Sequence, residues 1–108
     1  MLEDYLLPNE EIKWAGPQLF YGNELFNIYI TNKRLLLYQK RGLSFLKKEN
    51  VISEKIRDIQ NITLRQEGFI SKQGILTIDM PNRRIQLKGS IASIKATYQT
   101  LMMYWEND

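Results

Sequence analysis

Residues 25–40, LFNIYITNKRLLLYQK, leave little choice of local structure. Phe26, Ile28 and Ile30 alternate with Asn27, Tyr29 and Thr31, the period-2 pattern of a strand. Leu35 and Leu37 then alternate with Leu36 and Tyr38. If Asn32 and Lys33 are the central residues of a turn, Ile30 faces Leu35, Tyr29 faces Leu36 and Ile28 faces Leu37. Apolar side chains then meet apolar ones on both faces, as cross-strand pairing favours. Asn32 tolerates the positive φ that a two-residue hairpin asks for. The simplest reading of Lys33 and Arg34 is solvation and edge protection at the hairpin tip.

The same grammar extends in both directions. Ile12 and Trp14 alternate with Lys13 and Ala15, a first strand expected to end at Gly16-Pro17. Further strands are expected near 51–57, 59–66, 74–80 and 83–87, the last two joined by Pro81-Asn82. Gly89-Ser90 stops the strand pattern and offers a serine N-cap. Ile91, Ile94, Tyr98, Leu101, Met102 and Trp105 then recur at helical spacing, with Lys95, Gln99 and Glu106 off that stripe. The expected fold is mainly β: one domain over 1–108, with a leader at 1–10, seven strands over 11–88 and a helix over 90–105. Those strands are expected to form an antiparallel barrel, or two near-orthogonal sheets, capped by the helix.

At 108 residues the chain holds one core. It has neither cysteine nor histidine, which removes thiolate nucleophiles, disulfides, the commonest general base and most metal sites. The pairs Glu3-Asp4 and Glu10-Glu11 fall in the leader, where solvated charge is expected. No glycine-rich phosphate loop occurs. The reading is therefore a non-enzyme with no catalytic residue, metal or cofactor, and the sequence identifies no small-molecule substrate. No apolar run reaches the ~20 residues of a membrane span, and the acidic start is unlike a signal peptide. A cytoplasmic chain is expected, with room for peripheral contact at the inner face of a membrane.

Several stretches resemble the bacterial branch of the pleckstrin-homology (PH) family. They are LLPNEEIKWAG at 6–16, IYITNKRLLLY at 28–38, Ile56-Arg57-Asp58-Ile59, and GILTIDM and RIQLKG ahead of the helix. The resemblance covers roughly residues 6–105. It implies seven strands with a C-terminal helix, and structural roles for Thr31 and Arg34 in shaping the turn. Eukaryotic PH domains that hold phosphoinositides spread bases over the first hairpin. Here the segment 17–24 has none and Lys13 stands alone, so headgroup binding of that kind is not expected.

Charge is unevenly distributed within the net +3. Residues 1–32 carry a net −4 and residues 33–48 a net +6, with no acid in the second segment. In an antiparallel meander the segments 17–24 and 40–50 emerge at the same end. Together they offer Lys40, Arg41, Lys47 and Lys48 beside Phe20, Leu43 and Phe45, cations around apolar groups that suit an anionic lipid surface. The alternative reading is a protein-binding or self-assembling module using an edge strand and the C-terminal helix. Nucleic-acid binding ranks last, because twelve acids dilute the field.

Overall fold

A computed structural model of the chain describes residues 2–42, 48–68, 70 and 72–106. A 3-10 turn, Leu2–Tyr5, precedes seven strands: β1 Ile12–Tyr21, β2 Glu24–Thr31, β3 Arg34–Arg41, β4 Lys48–Lys55, β5 Asn61–Glu67, β6 Gln73–Asp79 and β7 Arg84–Gly89. A second 3-10 turn, Ile56–Asp58, joins β4 to β5, and helix α1 spans Ile91–Glu106. The strands form one antiparallel sheet in the order β4-β3-β2-β1-β7-β6-β5. This is the expected mainly β fold with a C-terminal helix, compatible with a PH-like layout. The expected closure is not made. β4 and β5 remain the two edges, and among the described residues the ladder joining the two halves is the short pairing Phe20↔Lys88 and Tyr21↔Leu87.

Pairing in the β2–β3 hairpin is Ile30↔Leu35, Tyr29↔Leu36 and Ile28↔Leu37, as the alternation requires. Both faces are buried for different reasons. Ile28, Ile30, Leu35 and Leu37 join Leu76, Ile78, Ile85, Leu87, Ile94 and Leu101 in the main core. On the opposite face Leu36 and Tyr38 pack with Leu2, and with the half-buried Leu6, Ile12 and Val51. The leader is thus a cover for the second face of the sheet rather than a solvated tail.

β1 departs from expectation. It does not end at Gly16-Pro17 but runs to Tyr21, with irregularities in its pairing to β2 between Ile12 and Trp14 and between Ala15 and Gln18. Proline is tolerated within a strand at such an irregularity, which also bends the strand. Leu19 consequently lies fully buried in the core, while Phe20 faces outward. The β1–β2 connection is only Gly22-Asn23, with Gly22 in the left-handed region at φ 65°.

The Ser90 hydroxyl accepts the Ser93 amide and caps α1, as its position promised. Ile94 and Leu101 are fully buried, and the Trp105 indole donates to the Ile59 carbonyl at 3.1 Å. Gly74 lets the helix approach β6: a Cβ there would stand 2.7 Å from Ile94 Cβ.

Candidate functional site

The residues of the Thr-Asn-Lys-Arg turn hold the leader in place. The Arg34 guanidinium forks onto Glu10, Nε to Oε2 at 2.9 Å and Nη2 to Oε1 at 2.7 Å. Its remaining donors reach Ser53 Oγ and the Tyr5 carbonyl, each at 2.9 Å. Thr31 donates its hydroxyl proton to Glu10 Oε2 and accepts the amides of Lys33 and Arg34. Asn32 accepts the Glu11 amide at 2.8 Å and donates to the Asn9 carbonyl at 3.1 Å.

Several expectations are corrected here. Glu10 is not a solvated leader acid; its side chain is fully buried. Hydrogen bonding from Arg34, aided by the Leu7 amide and Thr31 and opposed by burial, lowers its pKa from 4.5 to about 2. Arg34 does not merely keep a hairpin tip in water. Asn32 does not take positive φ; among the described non-glycine residues only Asn9 does, at 64°. The turn is held instead by the Thr31 hydroxyl, which satisfies two backbone N–H groups. Thr31 and Arg34 are structural, and so is Glu10.

At the far end of β2 the residues expected to form a surface-binding tip are only partly assembled. Arg41 lies 2.6 Å from Glu24, which ties the end of β3 to the β1–β2 turn and makes the two segments neighbours. Arg41 pairs with Lys48 across the β3–β4 ladder, and Lys40 pairs with Glu49. Glu49 accepts the Tyr38 hydroxyl, which holds that carboxyl below its ordinary range and keeps an anion beside Lys40. Lys40 and Lys48 are exposed. Leu43, Phe45 and Lys47 lie outside the described residues.

Phe20 is 45% exposed, directly opposite Leu25 at 43%. This apolar pair sits on the outer face, since its neighbours Leu19 and Phe26 point into the core. Lys88 pairs with Phe20 from β7, and strand alternation puts Lys40 in line with Leu25 from β3. Leu25 and Lys88 were not expected in the site. Following the alternation past Pro17 would have put Phe20 in a strand and Leu25 opposite it; the contact with β7 is long-range and leaves no local trace.

A second basic group lies at the other end of β2. A cleft of about 360 Å³ is lined by Leu7, Asn32, Lys33, Arg34, Lys55 and Arg57. Sequence reasoning missed it because Lys55 and Arg57 sit outside the basic segment 33–48. The backbone brings them there through the Ile56 amide, which donates to the Lys33 carbonyl at 3.0 Å.

No protein-family model, curated protein or solved structure matches the chain. Among the described residues no helix is long and apolar enough to cross a membrane.

Proposed function

We propose that the chain is a non-enzymatic, PH-like binding module that associates peripherally with an anionic membrane surface through the β1–β2 end of the sheet. The observation that carries this reading is the exposed Phe20–Leu25 pair flanked by Lys88 and Lys40 on the adjoining strands. Large apolar side chains facing water with cations beside them match the interfacial layer of an anionic bilayer. Arg41 and Lys48 add charge at the same end, Arg41 reduced by its pair with Glu24. Each cation near such a surface contributes ~1 kcal/mol, so the apolar pair must supply part of the attachment. The fold itself supplies rigidity: Phe20 and Leu25 sit on paired strands.

Co-sedimentation with phosphatidylserine vesicles tests the reading. The full chain pellets at low ionic strength, and a Phe20→Ser, Lys88→Glu variant stays in the supernatant with an unchanged melting temperature. Failure of the unaltered chain to pellet at low salt overturns it.

The second reading, self-assembly or a protein partner, is favoured by β5. It is the last strand of the sheet, and the neighbouring Ile70 is 97% exposed. Strand addition at that edge would make the chain a dimer, visible by light scattering.

A further inference from the structure

We infer that the cleft beside the β2–β3 turn is a binding site for a phosphate-bearing anion carrying two or more negative charges. Of its six lining residues, Lys33, Arg34, Lys55 and Arg57 are cationic and none is acidic. Two segments far apart in sequence supply them: the β2–β3 turn, and the end of β4 with the 3-10 turn that follows it. Arg34 is already satisfied by Glu10, so the unspent charge is that of Lys33, Lys55 and Arg57. Among the described residues Lys33 Nζ donates to the Pro8 carbonyl alone, at 3.3 Å.

Arg57 decides between a ligand site and an ordinary solvated edge. The other five arginines each have a carboxylate within ion-pair distance: Arg34 with Glu10, Arg41 with Glu24, Arg65 with Glu67, Arg83 with Glu54 and Arg84 with Asp79. Arg57 alone has none among the described residues, and neither has Lys55. The acids close to them in sequence are not in the cleft. Glu54 is taken by Arg83, and Asp58 is exposed and does not line the cavity. Arg34 and Lys55 stand directly opposite each other in the β3–β4 ladder, which fixes Lys55 beside the turn.

The backbone holds this arrangement in shape. Ile56, between Lys55 and Arg57, is buried in the main core, and its amide donates to the Lys33 carbonyl. A planar guanidinium with two ammonium groups in a concavity suits phosphate oxygens, with Arg57 giving paired hydrogen bonds and the lysines acting as point charges. A cavity of about 360 Å³ exceeds a single phosphate and fits a diphosphate or a phosphorylated small molecule, with Leu7 as an apolar wall.

Pyrophosphate titrated into the full chain tests the site, read by backbone amide shifts and by calorimetry. Shifts are expected at residues 33 and 55–57. Lys55→Ala and Arg57→Ala should each weaken binding about tenfold, while Lys95→Ala, on the exposed side of α1, should leave it unchanged. Both altered cations are exposed, so melting temperatures should hold. Vesicles containing a bisphosphorylated inositol lipid separate the two sources of such an anion. Pelleting that is lost with Arg57→Ala assigns the site to a lipid headgroup; pelleting indifferent to Arg57 assigns it to a free phosphate ester. Amide shifts scattered over every lysine-bearing surface, or unchanged affinity in the Lys55→Ala, Arg57→Ala double variant, overturn the proposal.

Discussion

Glu10 and Arg34 show how two short motifs 24 residues apart become one structural unit. A fully buried carboxylate is tolerated because a forked guanidinium, a hydroxyl and a backbone amide occupy its oxygens. Removing one partner leaves the other charge stranded, so Arg34→Ala should cost roughly 3–5 kcal/mol in urea unfolding. Lysine at that position cannot reproduce the fork, and Arg34→Lys should recover only part of the loss. The pH dependence follows from the direction of the Glu10 shift. Its folded pKa, about 2, lies below the ordinary 4.5, so the stabilisation is complete above pH 4.5 and fades as pH falls toward 2. A shift of that size corresponds to roughly 3 kcal/mol. Glu10→Gln should lower stability at neutral pH and flatten the acid limb of a pH–stability curve. If Glu10→Gln retains the wild-type acid limb, another carboxylate is responsible. Thr31 and Arg34 were legible as turn residues, because the motif places them at the hairpin. Glu10 was not, since nothing local distinguishes a buried leader acid from a solvated one.

Among the elements, the β2–β3 hairpin and α1 were the most readable, each carrying its period within a single segment. The helix stripe predicts its own energetics. Leu101 is fully buried, and Leu101→Ala should cost roughly 2–5 kcal/mol by thermal or urea unfolding. Gly74 tests the helix–sheet contact from the other side. Because its missing Cβ would meet Ile94 at 2.7 Å, Gly74→Ala should destabilise by about 1–3 kcal/mol through overpacking. Paired with Ile94→Ala, part of that cost should be recovered, and strict additivity would mean the two residues do not touch. β1 was the element least well read. Gly16-Pro17 carries a turn signal that the surrounding sheet overrides, and the strand passes through by shifting register. The cover over Leu36 and Tyr38 was hidden for the same reason: alternation shows that both faces are apolar, but not which segment packs on the second.

At the scale of the molecule, the two basic groups sit at opposite ends of β2, one beside Phe20 and Leu25, the other beside Lys33 and Arg57. The eight residues of β2 run from Glu24 to Thr31, about 23 Å from end to end at the usual rise. That is more than twice the ~8 Å screening length at physiological salt, so the two ends should act independently through solvent. β2 is paired on both sides and its inward residues are buried, a rigid connection between the two ends. The expected result is additivity. Phe20→Ser with Lys88→Glu should leave pyrophosphate affinity unchanged, and Arg57→Ala should leave phosphatidylserine pelleting unchanged. Salt should weaken both, but by different amounts. In the proposed membrane contact the apolar pair takes part and in the proposed phosphate site it does not, so a residual, salt-resistant component is expected only for the vesicles. A change of pyrophosphate affinity in the Phe20→Ser, Lys88→Glu variant would instead require a conformational link along β2. Measuring both associations in both variants, across a salt series, distinguishes a module with two separate contacts from one continuous basic surface.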